Sequence, residues 1–379
     1  MKSIQAQIDR AVSGQTINVS PGLYKRFHFD QGWGVGGLSG VFGLQKDSPP
    51  IIVRNPLGGS NTISVRDARS VDLANLIVDV GDEAAGVMTY TKKMRNRLGL
   101  QNILFDGGWN GDLNVGRKGA KWGLRSNHTR VVEADSVVGQ NIYKEHLFYI
   151  GVNEWIDLST PIRHIIRLEN SIGRRLGRTF LQAVSYEGEG KSPEELYASI
   201  VNCMAIDTCI TGGGGGSAFT FRGGFDKAII YLDGISSFQG CDPSLNPKSG
   251  QNITGHLVVD LGGYINPQPF SCDTLVLNDY NFVTGLAYPG VGSARRPFIQ
   301  LEKPRKITIG SGKLKAGEGV LPIAMTIQSA PEDVRNYTFL EAARNTWQSN
   351  LRCYFDGTKF DNYGVMIDAL RGAKGIHIL

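Results

Sequence analysis

The repeated segments LANLIVD (residues 73–79) and LQNILFD (residues 100–106) decide the fold. Each places apolar residues around a central asparagine, Asn75 or Asn102. Five later segments repeat the pattern around Asp135 (VEADSVV), Asn170 (RLENSIG), Asn202 (IVNCMAI), Gly234 (YLDGIS) and Asp279 (LNDYNF). Successive centres lie 27, 33, 35, 32, 32 and 45 residues apart. The pattern predicts a unit of one short strand, a polar turn that tolerates left-handed backbone, and a second short strand.

Three architectures build a chain from short strands at a roughly constant spacing. A propeller needs four strands in each unit and a blade motif, and the sequence shows neither. A sandwich needs hairpin turns such as Asn-Gly between neighbouring strands, and these are scarce. A parallel β-helix stacks coils of two or three short strands whose turns vary in length. The variable spacing favours the β-helix, with the polar turn residues stacked as a ladder along its axis.

The segment IQAQIDRAVSGQTINVSPGLY (residues 4–24) predicts how such a stack begins. Ile4, Ile8, Ala11 and Val12 fall at helical spacing and form one apolar stripe. A stack of coils exposes its first coil, and an amphipathic helix can lie across it as a lid. The following TINVSPGLY then predicts a first strand and a Pro-Gly turn.

This opening resembles the N-terminal cap of the pectate-lyase-like, right-handed parallel β-helix superfamily. An amphipathic helix, a Gly-containing turn, a short apolar strand and a P-G-x-Y turn recur there, and the repeats extend the resemblance over residues 1–285. It implies an all-β fold, a right-handed parallel β-helix with an N-terminal amphipathic capping helix. We expect a cap at residues 1–24 and coils at residues 25–285. Residues 286–379 are predicted to form the final coils or a small C-terminal β module.

Composition and charge argue against several classes of protein. The chain has 379 residues, 49 of them glycine, which indicates many tight turns rather than long helices. The formal net charge of +5 is dispersed, and no nucleic-acid-binding motif is present, so we predict no nucleic-acid partner. No apolar run approaches the ~20 residues that a membrane helix needs, so we predict no membrane association.

The cysteines and the N-terminus give two further expectations. The five cysteines are odd in number and form no C-x-x-C pair, which argues against a disulfide framework and a zinc site. We therefore predict no metal and no cofactor. No basic region followed by an apolar core indicates a secretory signal, so the protein would act inside a cell or leave it by another route.

Equal offsets from the polar turn residues predict a lateral patch of ionisable side chains. Lys144 lies nine positions after Asp135, and Arg178 lies eight positions after Asn170. In a stack of coils such positions share one face, with adjacent strands ~4.8 Å apart. The predicted catalytic residues are Asp112, Lys144, Glu145, His146 and Arg178.

Two chemistries suit this patch. A lyase that acts on uronic acids needs a base for the C5 proton and a cation beside the carboxylate. Lys144 or His146 would be that base and Arg178 the cation. A glycoside hydrolase instead needs two carboxyl groups, ~5.5 Å or ~6.5–9.5 Å apart. Candidate carboxylates are Asp112, Glu145, Glu187, Glu189, Asp207 and Asp242.

Aromatic residues concentrated in the same region suit a surface that stacks on sugar rings. The predicted substrate-binding residues are Trp109, Trp122, Tyr143, Tyr149, Arg174 and Arg175. The sequence contains no catalytic motif of the superfamily and no evident calcium-binding aspartate cluster of the pectate-lyase kind.

The fold hosts many activities, so three functions stay open. The first is a virion-associated, tailspike- or tail-fibre-like protein that binds a bacterial surface polysaccharide and, as an enzyme, cleaves it. The second is a non-enzymatic structural or decorating virion protein, and the third is a bacterial polysaccharide lyase or glycoside hydrolase. The missing secretory signal favours a protein made in the host cytoplasm that reaches the cell surface in a virion. Its expected partners are a polysaccharide and other virion proteins, and the resemblance implies a homotrimer.

Overall fold

Long parallel β-sheets dominate the structure, a computed structural model that is nearly all β. It describes residues 1–12, 14–29, 37–40, 51–54, 60–66, 68–82, 84–90, 97–108, 119–127, 129–151, 162–185, 194–211, 217–242, 255–261, 272–285, 297–317 and 323–379. The helices in these ranges are α1 (Gln5–Arg10), α2 (Ala343–Thr346) and α3 (Tyr363–Leu370). None of them is long and apolar enough to cross a membrane.

The strands fall into three runs that recur in the same order along the chain. The first run contains β1 (Thr16–Val19), β4 (Gly37–Gly40), β11 (Val131–Asp135), β14 (Ile162–Glu169), β17 (Glu194–Val201), β24 (Lys306–Ile309), β27 (Asn336–Phe339) and β30 (Ile376–Ile378). The second run contains β2 (Gly22–Lys25), β5 (Ile51–Arg54), β12 (Val138–Ile142), β15 (Ile172–Leu176), β18 (Met204–Ile206) and β25 (Gly312–Ala316). Four longer strands bend between these two runs and belong to both: β7 (Ser70–Asp79), β9 (Arg97–Asp106), β20 (Lys227–Gln239) and β22 (Thr274–Thr284).

The third run forms a separate sheet. It contains β3 (Phe27–Phe29), β6 (Ile63–Arg66), β8 (Ala85–Tyr90), β10 (Trp122–Asn127), β13 (Phe148–Gly151), β16 (Leu181–Val184), β19 (Ser217–Arg222), β21 (Gly255–Asp260), β23 (Ile299–Glu302), β26 (Ile323–Gln328), β28 (Arg352–Phe355) and β29 (Thr358–Phe360). Strands β23 to β28 each pair in parallel with the preceding strand of the same run.

Each strand pairs in parallel with the strand that occupies the same run one repeat later. Val132 of β11 lies beside Ile166 of β14, which lies beside Ala198 of β17. Among the described strands the exception is β29, which is antiparallel to β28. This succession of parallel pairings is compatible with a parallel β-helix.

Residues with left-handed backbone mark the corner between the first and second runs. Asn75, Asn102, Asn170 and Asn202 have φ between 48° and 60°. Asparagine tolerates this conformation better than most residues. The side chains also join successive repeats, because Asn102 Nδ2 donates to Asn75 Oδ1 at 3.1 Å. The polar turn residues therefore form the ladder that the repeats predict.

One corner residue was predicted one position too early. Asp135 ends β11 in extended backbone, and Ser136 has the left-handed φ of 57°. Measured from Ser136, the spacings to Asn102 and Asn170 are both 34 residues, so the repeat is more regular than the sequence alone indicated. Aspartate adopts left-handed backbone more readily than serine, so residue preferences favour Asp135 over Ser136 as the corner residue. The pairing of Asp135 with Gln101 and Glu169 places it in the strand.

Inward side chains of the three runs form one continuous apolar core. Aromatic rings stack along it, and the ring centres of Phe148 and Phe180 are 5.4 Å apart. Glycine in the second run makes room for large neighbours, since a Cβ on Gly139 would lie 2.1 Å from Cδ1 of Leu147. In the core, large side chains of one run therefore pack against glycines of the facing run.

The first residues of the chain pack against the first repeat. Ile4 and Ile8 are buried, as the stripe predicts, but α1 ends at Arg10 and Val12 is 69 % exposed. Val12 therefore does not belong to the buried face. The Gln5 side chain lies along β3, where Nε2 donates to the His28 carbonyl oxygen and Oε1 accepts from the His28 N–H.

Candidate functional site

A cluster of aromatic and charged side chains lies on the outer face of the third run. Two strands and two turns build it, because Arg125 of β10 pairs beside Tyr149 of β13, and Phe148 of β13 pairs beside Leu181 of β16. The residues just before β13 and β16 are thereby brought to the same edge. The third-run cluster, as we name it, consists of Trp122, Arg125, Glu145, His146, Tyr149 and Arg178.

His146 is the buried centre of the cluster, with 1 % of its side chain exposed. Its Nδ1 accepts the backbone N–H of Thr179 at 3.2 Å and lies 2.7 Å from the Thr179 hydroxyl. Burial, together with the charge of Arg178, lowers the pKa of His146 to about 3, so the ring is neutral at pH 7. With Nδ1 as the acceptor, the proton lies on Nε2, which is 3.3 Å from Glu145 Oε2.

This geometry does not suit the predicted role of His146 as a base. A base must accept a proton from the substrate, whereas His146 is enclosed and its Nε2 already carries a proton directed at Glu145. His146 Nε2 instead lies beside the Glu145 carboxylate.

Glu145 is the carboxylate of the cluster. Arg178 Nη1 lies 3.0 Å from its Oε2. Burial raises the pKa of Glu145 above its usual value, although Arg178, Lys121, Arg125 and Lys144 act in the opposite direction. A partly buried carboxylate with a raised pKa is a stronger base than an exposed one, which suits general acid or base chemistry.

The aromatic rings form a partly open surface beside this carboxylate. The Tyr149 ring stacks on His146 with 5.1 Å between ring centres and 17° between planes. Trp122 follows at 6.4 Å from Tyr149, tilted by 43°. The guanidinium carbon of Arg125 lies 4.6 Å from the centre of the Trp122 ring. Trp122, Arg125 and Tyr149 are all half-buried and reachable from solvent.

Three N–H groups of the cluster are buried without a hydrogen-bond acceptor in the described part of the chain. They are Nε1 of Trp122, Nε of Arg125 and Nε of Arg178. An unsatisfied buried donor costs about 1–3 kcal/mol, more when it is charged. Such donors require an acceptor beyond the described protein atoms, such as an ordered water or a ligand.

The other predicted site residues have different positions. Lys144 is half-buried next to the cluster, and Tyr143 precedes it. Arg174 lies on the outer face of the second run, where its Nε donates to Gln140. Arg175 pairs with Asp242 at 2.8 Å. Neither arginine joins the cluster, and Trp109 and Asp112 lie outside the described residues.

The predicted hydrolase carboxylates do not gather at the cluster. Glu145 belongs to it, whereas Asp242 pairs with Arg175, and Asp207 is buried, with its Oδ1 accepting the Cys241 N–H. Glu187 and Glu189 lie outside the described residues. In the part of the chain that is described, no group of three or more His, Cys, Asp or Glu side chains is arranged to hold a metal ion.

Sequence reasoning missed two cluster neighbours, Arg125 and Lys121. Both flank Trp122 in KWGLRSN, and Lys121 Nζ lies 5.7 Å from the Trp122 ring centre. The sequence did not indicate which neighbour Arg125 would meet, because that depends on the pairing of β10 with β13.

A second charged feature is a groove of about 320 Å³ on the first run. Arg97 contacts Asp72 at 2.7 Å and Glu133 at 2.6 Å, and Arg167 contacts Glu133 at 2.5 Å. Hydrogen bonds from both arginines outweigh burial and lower the pKa of Glu133. These charges satisfy one another, so the groove gives weaker evidence for a ligand than the third-run cluster does.

A third feature is a pair of carboxylates at the later end of the third run. Asp260 of β21 lies beside Glu302 of β23, one position beyond the Val259–Leu301 pair. Burial and the charge of Asp260 raise the pKa of Glu302, while Gln300 Nε2 donates to its Oε1 at 3.0 Å. The two residues are 42 positions apart, which hid their proximity in the sequence.

Comparisons with protein-family models, curated proteins and solved structures found no match for this chain.

Proposed function

We propose that this chain is a right-handed parallel β-helix protein of the virion-associated, tailspike- or tail-fibre-like kind, with α1 as its N-terminal cap. We further propose that its third-run cluster binds an acidic bacterial surface polysaccharide. The observation that carries the proposal is the meeting of two half-buried aromatic rings, one carboxylate and three buried N–H donors that have no acceptor among the described residues. The virion setting rests on the resemblance of residues 4–24 and of the repeats.

The aromatic pair supports a saccharide as the ligand. Pyranose rings present C–H groups on one face and hydroxyl groups at their rim. The half-buried rings of Trp122 and Tyr149 suit contact with the former, and the surrounding guanidinium and carboxylate groups can hydrogen-bond the latter. The tilt of 43° between the two rings suits consecutive sugar units that are rotated relative to one another.

The charge balance supports an acidic saccharide. Lys121, Arg125, Lys144 and Arg178 all act on Glu145, which is the one carboxylate of the cluster. Because His146 is neutral, the positive charges exceed the negative charge. Arginine is well suited to bind a carboxylate through its planar fork of N–H groups. An acidic group on the sugar would therefore satisfy both the charge and the buried donors.

The cluster favours elimination over hydrolysis if the chain is an enzyme. Among the described residues it contains one carboxylate, whereas hydrolysis of a glycosidic bond uses two. Glu145 is suited to move a proton, and Lys144 is the predicted base that stays accessible beside it. Arg125 or Arg178 would neutralise the sugar carboxylate.

The test is incubation of the purified chain with acidic and neutral bacterial polysaccharides. Absorbance near 235 nm together with new reducing ends identifies a lyase, because elimination creates a C4–C5 double bond. Reducing ends alone identify a hydrolase and direct attention to carboxylate pairs such as Asp260 and Glu302. Binding without either signal supports a recognition protein, and no binding across the panel favours the structural virion role.

The substitution Arg125→Ala should weaken binding of the responsive acidic polysaccharide by roughly 10- to 100-fold, because it removes a charged donor. Arg163→Ala is the matched control, since Arg163 also lies over an aromatic ring, Tyr197 at 5.2 Å, but on the first run. Titration calorimetry measures both. Equal affinity of the two variants would contradict the proposed site.

A further inference from the structure

A cavity of about 570 Å³ opens beside the first two strands of the third run. One wall is α1, since the Gln5 side chain bonds to both backbone groups of His28. The floor is formed by β3 and β6, where His28 pairs beside Ser64. The α1 pocket, as we name it, is lined by Gln5, Arg26, His28, Asn61, Ser64 and Arg66.

The charge of the α1 pocket is positive. Arg26 and Arg66 are exposed, and neither makes an ion pair within the described part of the chain. A nearby arginine of the second run, Arg54, does pair with a carboxylate, that of Asp79. Among the described residues no aspartate or glutamate lines the pocket, and the Asp9 carboxylate, which accepts from Gln5 Nε2, lies outside it. Two positive charges that no described carboxylate neutralises therefore face one cavity.

Neutral hydrogen-bonding groups lie between the two arginines. Arg26 directly precedes β3 and Arg66 ends β6, so the pair of His28 and Ser64 stands between them along the strands. Asn61 Oδ1 accepts a backbone N–H of β8 at 3.0 Å, which leaves the Asn61 NH2 group to donate. The Ser64 hydroxyl is a further donor. Donors are thus available at both ends of the cavity and on its floor.

The amount of charge indicates which anion the pocket suits. A phosphate monoester carries about −1.5 to −2 at pH 7 and presents three strong acceptor oxygens. Two arginines match this charge, and the planar fork of each guanidinium binds phosphate oxygens in pairs. A carboxylate or a sulfate ester carries a single negative charge and would leave one arginine without a counter-charge. The pocket therefore suits a phosphate monoester better than either of them.

The size of the cavity indicates that the phosphate is part of a larger molecule. Its volume of about 570 Å³ lies within the range of roughly 300–1,000 Å³ that is typical of small-molecule sites. A phosphate ion fills only a small part of such a space. The amide and hydroxyl groups of Asn61 and Ser64 suit a carrier that is rich in hydroxyl groups.

We propose that the α1 pocket binds a phosphate monoester on a small, hydroxyl-rich carrier, of which a sugar phosphate is the simplest example. Arg26 and Arg66 hold the phosphate oxygens from opposite ends of the cavity. On the third run Met88 lies between Ser64 of this pocket and Arg125 of the third-run cluster, and the two sites share no residue. The proposal is therefore independent of saccharide binding by the cluster.

The test is calorimetric titration of the full chain with glucose 6-phosphate, glucose 6-sulfate, inorganic phosphate and glucose at pH 7.5. About 100 mM NaCl weakens nonspecific attraction between exposed charges. Glucose 6-phosphate should bind most tightly, and glucose 6-sulfate roughly 10-fold more weakly, because it satisfies only one arginine. Inorganic phosphate should also bind more weakly, because it lacks the hydroxyl contacts, and glucose should give no measurable heat.

Substitution of the two arginines locates the site. Arg26→Gln and Arg66→Gln should each weaken glucose 6-phosphate binding roughly 10-fold, because each removes a charged donor. Arg352→Gln is the matched control, since Arg352 is also an exposed third-run arginine without an ion pair among the described residues, and it lies in β28. The control should retain the wild-type affinity. Circular dichroism establishes that the variants are folded.

Three results would overturn the proposal. The first is a wild type that binds glucose 6-phosphate no better than glucose, and the second is equal affinity for glucose 6-phosphate and either glucose 6-sulfate or inorganic phosphate. The third is loss of glucose 6-phosphate binding in Arg125→Ala but not in Arg26→Gln and Arg66→Gln, which would place the phosphate in the third-run cluster. A failure of the chain to bind polysaccharides would leave the titration with glucose 6-phosphate unaffected.

Discussion

At the scale of single residues, burial decides the charge state and the accessibility of each ionisable group. His146 and Glu145 are adjacent in the sequence, yet His146 is enclosed and neutral while Glu145 reaches the surface beside Arg178. His256 is another enclosed histidine, with ring centres 4.6 Å from Phe298 and 5.1 Å from Phe282. The sequence does not distinguish these buried histidines from the exposed ones, because burial depends on pairing between repeats.

Acid should destabilise the chain through its buried histidines. Burial lowers the pKa of His256 and, with Arg178, of His146 to about 3, whereas an unfolded histidine has a pKa near 6.5. Between these values the unfolded chain binds more protons, so the free energy of unfolding falls as the pH falls. At pH 5 the loss is about 2 kcal/mol for each histidine.

Urea unfolding at pH 7.5 and pH 5 measures this effect. His256→Gln should show a smaller loss between the two pH values than the wild type. His377→Gln removes an exposed histidine and tests whether the loss of any histidine changes the pH dependence of the free energy of unfolding. Identical pH dependence of the wild type and His256→Gln would refute the assignment.

At the scale of elements, the corner between the first and second runs sets the repeat. It needs a residue that accepts positive φ and a side chain that can bond to the same position one repeat away. Asn102 meets both needs, with φ of 51° and its bond to Asn75. Gly234 meets only the first and still occupies the corner of its repeat, with φ of 62°.

Replacing a corner asparagine should separate the contribution of the positive-φ backbone from that of the side-chain hydrogen bond. Asn102→Ala should lower the free energy of unfolding by about 1–2 kcal/mol, because alanine is strained at positive φ and the amide bond is lost. Asn102→Gly should cost less, since glycine adopts this backbone freely. Urea midpoints of both variants provide the measurement, and an equal or larger loss for Asn102→Gly would show that backbone strain is not the main term.

At the scale of the whole molecule, a stack of parallel strands has ends with unpaired backbone groups. Lys2 bridges to Tyr24 beside β2, and the Gln5 amide bonds to both backbone groups of His28 in β3. At the other end, β30 pairs with β27 and β29 with β28. Such coverage limits pairing between sheet edges of different molecules.

Gln5→Ala should uncover the outer edge of β3. Faster hydrogen exchange at the His28 amide and increased light scattering on storage are expected, because that amide loses its acceptor. Gln7→Ala, at an exposed position of the same helix, is the control. Unchanged exchange at His28 in Gln5→Ala would mean that the side-chain bonds do not protect this edge.

The sequence by itself determined the strand class, the repeat and most of its corners, because these follow from local residue types. Apolar alternation and residues that accept positive φ recur wherever the chain bends, so Asn75, Asn102 and Asn170 could be placed. Ser136 could not, because its backbone is set by its neighbours in other repeats rather than by its own preference.

Only the tertiary structure decided which of the predicted site residues meet. Glu145 contacts both His146 and Arg178, whereas Arg174 lies on a different run. The place of Arg125 beside Tyr149 emerged from strand register alone. Positions about 30 residues apart become neighbours through pairing, and a shift of one residue turns a side chain to the opposite face. Register, not composition, therefore defines the functional surfaces of this protein.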